Sequence, residues 1–199
     1  MTCALAGLFG ARLYHLLVYS PSYMREHSVG ALWDTNRGGL SLFGALVGLA
    51  LASFVAAAWL EIPAPVLWDH MGAGALASGF WVRFGCIFNG CCVGRASSAP
   101  LGIRLHDTHG VTKRRIPVQF LEMAWWLVGL GGFLMLWPGA IRLGSYALAV
   151  LTWYGVGRVF LEPLRECPDI VFGQVRINQV VAGLLAAGAG GSFIVLNFR

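Results

Sequence analysis

Three arginines stand inside apolar stretches of this sequence: Arg12, Arg83 and Arg158. An arginine at the centre of a membrane helix costs about 2.5–3.5 kcal/mol on insertion scales. Snorkelling relieves that cost near a helix end, but neither Arg83 nor Arg158 is at an obvious end. Tyr154, Arg158, Glu162 and Arg165 follow one another at steps of four, four and three residues, which places them on one helical face. Glu162 can pair with Arg158 or with an arginine of another helix. Such a stripe is either a structural ion pair that cancels its own burial cost or the wall of a polar pocket, and intramembrane ionisable residues mark function by default. A second polar segment, Arg83-Phe-Gly-Cys-Ile-Phe-Asn-Gly-Cys-Cys-Val-Gly-Arg95, has glycines that permit close backbone approach and an amide, Asn89, that both donates and accepts. Two arginines and an amide converging within a bilayer suit a phosphate ester, because Arg–phosphate contacts are bidentate and charge-assisted. Phospholipids are the phosphate esters found at that depth.

The elements that must carry these groups are membrane helices. The chain has 199 residues, 57% of them hydrophobic before its 27 glycines are counted, and only 12% charged. An average soluble domain is about 25% charged, so this chain is too apolar to cover a soluble surface. Disorder, a disulfide scaffold and a nucleic-acid-binding domain are excluded as leading readings. A spanning helix needs about 20 apolar residues, and six such segments fit: Ala4 to Tyr19, Gly39 to Leu60, Val66 to Cys92, Pro117 to Trp137, Leu143 to Leu164 and Ile177 to Leu196. The first lacks a basic leader and carries Arg12 and His15, so it reads as a retained helix. A loop is expected over Ser20 to Arg37, and the longest polar stretch over Gly94 to Arg115. Small residues at four-residue spacing (Gly44 and Gly48, Gly74 and Ser78, Gly183 with Ala187 and Gly191) predict close helix packing. The expectation is an all-α, polytopic membrane bundle of about six helices forming one integral-membrane domain over 1–199, with one polar loop region around 94–116.

Four stretches resemble the prolipoprotein diacylglyceryl transferase family. Gly10-Ala-Arg-Leu-Tyr-His15 resembles its early glycine-arginine helix, and Gly38-Gly-Leu-Ser-Leu-Phe-Gly-Ala-Leu-Val-Gly48 its glycine-rich segment. The 83–95 segment resembles its signature, in which an essential arginine precedes an Asn-Gly and a Gly-Arg. Tyr154-Gly-Val-Gly-Arg-Val-Phe-Leu-Glu-Pro-Leu-Arg165 resembles its late motif with a second essential arginine. Pro117-Val-Gln-Phe-Leu-Glu122 and Gln179 are weaker matches. The resemblance implies a multi-pass enzyme of the bacterial inner membrane that moves the diacylglyceryl group of phosphatidylglycerol onto a cysteine thiol of a lipoprotein precursor, or onto a related acceptor, without a cofactor. It implies that Arg83 and Arg158 hold the headgroup phosphate and stabilise the leaving group. Arg12, Asn89, Gly90, Gly94, Arg95, Gln119, Glu122, Tyr154, Glu162 and Arg165 are the matching substrate-binding candidates.

This chain also departs from the pattern. Phe43 and Ile116 stand where the family has histidines, Cys86 where it has an asparagine, and Cys91 where it has an acidic residue. The family's first helix has no counterpart, so the start is either truncated or belongs to a shortened branch. A thiol acceptor must lose its proton to attack, and His106, His109 and Glu122 do not stand at a matching histidine position. The alternative reading is a catalytically inactive relative that binds anionic phospholipid or a membrane partner; an anion channel or carrier is a third. Cys91-Cys92 with His106 and His109 fits no standard zinc spacing, so packing is the expectation for the cysteines and no metal is assigned. His70 beside Asp69 reads as an ordinary polar pair. One set of loops holds Arg25, Arg37, Arg95, Arg104, Lys113, Arg114, Arg115, Arg165 and Arg176, the other Arg142 and Arg199. The positive-inside rule puts the richer set in the cytoplasm; the resemblance implies the outer face, which is the placement expected here.

Overall fold

The computed structural model describes residues 2–26, 42–98, 100, 102–137, 139, 141–166, 170–172 and 175–198. Residues 27–41, Cys167 and Arg199 lie outside that range, as do the side chains of His15, Arg25 and Phe43. Among the described residues there are six α-helices: α1 (Thr2–Glu26), α2 (Leu42–Trp59), α3 (Ala64–Asn89), α4 (Val118–Leu136), α5 (Ser145–Leu161) and α6 (Ile177–Phe198). Ala64–Asn89, Val118–Leu136 and Asn178–Phe198 are long and apolar enough to cross a membrane, and Gly44–Trp59 is a shorter apolar helix. Large apolar side chains such as Trp59, Met135 and Phe198 stand outward. Water would penalise that arrangement and hydrocarbon does not, so the chain is a helical membrane protein.

The chain divides into two compact units, Met1–Leu67 and Trp68–Arg199. In the first, α1 and α2 run antiparallel with their backbones in contact. A Cβ on Gly10 would run into the Gly44 carbonyl, and one on Gly48 into the Ala6 carbonyl. The small-residue spacing predicted for α2 is therefore the crossing point itself. Helix α1 continues past Pro21 to Glu26 rather than ending at Tyr19; membrane helices tolerate such a proline.

In the second unit α3 packs on α4 and α5 through Leu76, Phe133, Tyr146 and Val150, with Trp126, Trp137 and Trp153 around them. Trp125 and Trp153 stack at 4.1 Å between ring centroids. Each indole N–H donates to the other residue's carbonyl, at 3.1 and 3.0 Å. The stripes expected on α3 and α6 are displaced. A Cβ on Gly74 or Gly191 meets open space, and of the expected α6 glycines Gly183 alone faces α5, at Val159, whereas Gly72 faces Phe133 and Gly155 of α5 faces Ala182 and Ala186. In helices this rich in small residues several faces satisfy the spacing, and only the neighbour selects one.

Asp69 has partners well beyond its neighbour His70. It is fully buried and accepts from the backbone N–H groups of Gly144 at 2.5 Å and Ala147 at 2.8 Å, at the start of α5. These are among the donors that a helix start leaves unsatisfied. His70 meets the edge of Trp137 at 4.8 Å. Replacing Asp69 with alanine removes a cap and leaves two donors buried. Unfolding monitored by circular dichroism in detergent should show a loss of about 2 kcal/mol, the upper end for capping residues.

Pro163 shapes the end of α5. It has no N–H for the Val159 carbonyl, so the helix stops at Leu161 and a 3-10 turn over Glu162–Leu164 follows. Gln179 of α6 fills the gap, its Nε2 donating to the Val159 carbonyl at 2.9 Å. The polar region expected as a loop contains a hairpin, β1 (Ile103–His106) paired antiparallel with β2 (Thr112–Arg115). A smaller one follows α5, β3 (Ile170–Phe172) with β4 (Val175–Arg176).

Candidate functional site

Two segments distant in sequence are tied side by side by their backbones. The Arg95 N–H donates to the Leu164 carbonyl at 2.9 Å, the Glu166 N–H to the Val93 carbonyl at 3.1 Å, and the Ile116 N–H to the Arg95 carbonyl at 3.0 Å. Gly94 bridges Arg165, and a Cβ on Gly94 would run into the Ile116 carbonyl. Here only glycine permits the approach.

That tie brings the arginines of both motifs onto two buried carboxylates. Arg83 Nε lies 2.6 Å from Glu122 Oε2, and Arg165 Nη2 lies 2.5 Å from Glu122 Oε1. Arg158 Nη1 lies 3.0 Å from Glu162 Oε2 and 3.8 Å from Glu122 Oε1. Arg165 Nε is 3.8 Å from Glu162 Oε2, and Arg176 Nη1 donates to the Glu162 backbone carbonyl at 2.5 Å. Of the two partners that its spacing left open, the Glu162 carboxylate takes Arg158 of its own helix, with Arg165 close by. Arg158 also donates to the Tyr154 hydroxyl at 3.4 Å and lies 5.6 Å from that ring's centre, while Tyr154 stacks on Trp126.

Three guanidinium side chains therefore share two carboxylates, and Arg176 adds a fourth cation at the edge. The cluster carries excess positive charge. Arg158, with its side chain 19% exposed, is the most open of the three ion-paired arginines, whereas the Glu122 and Glu162 side chains are 5% and 3% exposed. Each guanidinium has five N–H donors, more than these carboxylates use. An oxyanion entering the cluster would meet surplus donors and unneutralised charge in a low-dielectric setting, where both are strongest.

The remaining candidates divide by role. Gln119 is buried, and its Nε2 donates to the carbonyls of Cys86 at 3.1 Å and Cys91 at 2.7 Å, so it clamps the start of α4 to the end of α3. Gly90 ends α3 at φ 63°, with the Asp107 backbone 2.9 Å from where a Cβ would sit. Asn89 and Arg95 stand exposed at the mouth of this turn. Arg12 belongs to the first unit and is buried there, 2% exposed.

A buried ion-pair network beside the cluster is invisible in the sequence. Arg115, placed among the loop arginines by its spacing, is fully buried. It pairs with Asp107 at 2.8 Å and with Glu166. Asp107 also closes the β1–β2 turn by accepting from the N–H groups of His109 at 2.9 Å and Val111 at 3.0 Å. The Val111 N–H above all, then the His109 N–H and the Arg115 charge, holds the Asp107 carboxyl below the usual carboxylate range. A lowered pKa means that its contribution to hairpin stability is complete above the ordinary value and is lost as pH falls through the lowered one. Amide exchange at Val111 and His109 should therefore stay protected from neutral pH down into the usual carboxylate range. Protection should fail only below it.

The three cysteines near Arg83 converge. The Sγ atoms of Cys86, Cys91 and Cys92 all lie within 4.8 Å of one another, and Arg83 Nη1 is 3.7 Å from Cys86 Sγ. The Cys92 thiol, beyond the end of α3, is lowered from its ordinary value, first by a hydrogen bond from Cys86 and further by the Arg83 and Arg165 charges.

Fold and site together define a helical membrane protein with an arginine-rich ion-pair cluster where α3, α4 and the end of α5 meet. The family described as prolipoprotein diacylglyceryl transferase matches residues 1–195. A relative from Frankia alni is 30% identical over 96% of this chain and 52% of its own length. One from Cutibacterium acnes is 30% identical over 99% of this chain and 70% of its own, and one from Leifsonia xyli 26% identical over 95% and 61%. Each is named phosphatidylglycerol--prolipoprotein diacylglyceryl transferase. The chain belongs to the prolipoprotein diacylglyceryl transferase family. It spans about half to two-thirds of the length of these curated relatives.

Proposed function

We propose that this protein transfers the diacylglyceryl group of phosphatidylglycerol to a cysteine thiol of a lipoprotein precursor, or of a related acceptor, in the bacterial inner membrane. The observation that carries the reading is the cation-rich cluster of Arg83, Arg158 and Arg165 on Glu122 and Glu162. In this reading Arg83 and Arg158 are catalytic. They grip the phosphate through paired N–H donors and compensate the charge that develops as the glyceryl carbon–oxygen bond breaks. The acceptor sulfur forms the new bond to that carbon, and glycerol phosphate leaves with the electron pair. Glu122, Glu162, Tyr154 and Arg165 position the two arginines. Gln119, Gly90 and Gly94 hold the backbone turns behind them, and Asn89 and Arg95 face the incoming headgroup.

Purified protein incubated with labelled phosphatidylglycerol and a cysteine-containing precursor peptide should release glycerol phosphate and lipidate the peptide. Retention of phosphatidylglycerol with no release would replace this reading with that of an inactive lipid-binding relative.

A further inference from the structure

We propose that Cys86, Cys91 and Cys92 form a three-thiolate binding site for zinc whose open fourth position takes the thiol of the acceptor. The zinc site stands on geometry alone; the acceptor's part in it rests on the transfer reading above.

The three Sγ atoms, mutually within 4.8 Å, are near the spacing that a zinc ion imposes. Zn–S bonds of about 2.3 Å in tetrahedral array put the sulfurs about 3.8 Å apart, which a small side-chain adjustment supplies. The convergence is built by the backbone. Cys86 lies in the last turn of α3, and the chain then reverses through two left-handed residues, Gly90 at φ 63° and Cys92 at φ 57°. A left-handed cysteine is unfavourable and persists only where its surroundings impose it; here it belongs to the turn that brings the Cys92 thiol within reach of Cys86. Gln119 locks the turn by donating to the carbonyls of both Cys86 and Cys91. Three thiolates select a soft or borderline cation such as zinc over magnesium or calcium.

Charge and access agree. Zinc with three thiolates carries one net negative charge, and the Arg83 guanidinium, 3.7 Å from Cys86 Sγ, places a cation beside it. Burial is graded, with Cys86 buried, Cys91 half-buried and Cys92 exposed, so the fourth position opens to the outside. Three protein ligands and one open position form the catalytic zinc pattern rather than the structural one.

The open position answers a specific need. The acceptor thiol must be deprotonated, and Glu122 is committed to Arg83 and Arg165. A thiol that coordinates zinc gives up its proton, here to water. The zinc-bound sulfur then attacks the glyceryl carbon; the sulfur–carbon bond forms as the carbon–oxygen bond to phosphate breaks.

The test uses full-length protein in detergent, reduced and stripped of metal, with its free thiols counted beforehand. Cobalt(II) is added as the probe and zinc as its competitor. One cobalt per chain with a thiolate charge-transfer band, displaced by zinc, is expected. The exposed Cys92→Ser change should weaken binding more than tenfold while the helical spectrum and melting stay unchanged. A cysteine-containing precursor peptide should shift the cobalt ligand-field bands, and its serine counterpart should not. No charge-transfer band from fully reduced protein, or equal binding by Cys92→Ser, overturns the site. Binding without the peptide shift overturns the open position. Full transfer by chelated protein or by Cys92→Ser overturns the role in the reaction while leaving the transfer reading intact. If cobalt binds and the peptide shift appears but no condition releases glycerol phosphate, the zinc site stands and the transfer reading falls.

Discussion

Arg83→Ala and Arg158→Ala are each expected to lower the rate of glycerol phosphate release by 10²–10³-fold, roughly the cost of removing one pre-positioned donor to a developing oxyanion. The expectation follows from what each side chain is left to do once its ion pair is counted. Arg83 meets Glu122 through Nε and Cys86 Sγ through Nη1, and Arg158 meets Glu162 through Nη1 and Tyr154 through Nε. Both keep N–H donors for a phosphate oxygen. Neither is the sole partner of its carboxylate, because Arg165 lies 2.5 Å from Glu122 and 3.8 Å from Glu162. Truncation should therefore cost more in transfer than in folding. Lysine at either position should restore only part of the rate, since an ammonium keeps the charge and loses the planar fork. The measurement is single-turnover release of glycerol phosphate beside a melting curve for each variant. Undiminished release by both alanine variants would remove the arginines from the reaction.

Glu122→Gln is expected to act in the opposite sense, on the fold first. Glu122 is the hub of the cluster, with Arg83 at 2.6 Å, Arg165 at 2.5 Å and Arg158 at 3.8 Å, and its residue is 4% exposed. Glutamine keeps the shape and removes the charge. Two guanidiniums would then be buried without their nearest carboxylate, and breaking one side of a buried pair costs about 3–5 kcal/mol. Melting in detergent, followed by circular dichroism, should drop accordingly. Saturating phosphatidylglycerol should recover part of the loss, because an anion bound only by the folded state stabilises it by mass action. An unchanged melting curve would show that Glu122 does not hold the cluster together.

The legible and illegible parts of the site separate along a physical line. The helices were readable because hydrocarbon enforces long apolar runs, and Pro117 marks the start of α4 as expected; the fifth span, read through Pro163 to Leu164, in fact ends at Leu161. The Tyr154–Arg158–Glu162 spacing was readable because helical periodicity makes near neighbours in sequence near neighbours in space; Arg165, expected on the same helical face, instead lies past the end of α5 in extended backbone and bridges Gly94. Arg115 was misjudged for the complementary reason. Its partners, Asp107 and Glu166, sit eight and fifty-one positions away, so a buried arginine in a polar segment looks like any solvated one. The β1–β2 hairpin was missed because its short strands carry charged residues and give no clean alternation.

By itself the sequence determined that this is an arginine-rich, lysine-poor helical membrane protein, with polar groups concentrated at 83–95 and 154–165. Composition and local periodicity suffice for that, since both act within a few turns of one helix. Only the tertiary structure decided which charges meet. Glu122 was a weak motif match, and backbone hydrogen bonds between 93–95 and 164–166 placed the arginines of both segments on it. Cys86, Cys91 and Cys92 are near neighbours in sequence, but their thiols converge because left-handed turns at Gly90 and Cys92, locked by Gln119, fold the end of α3 back on itself. Long-range pairing of this kind depends on packing between elements, and residue order along one chain does not record it.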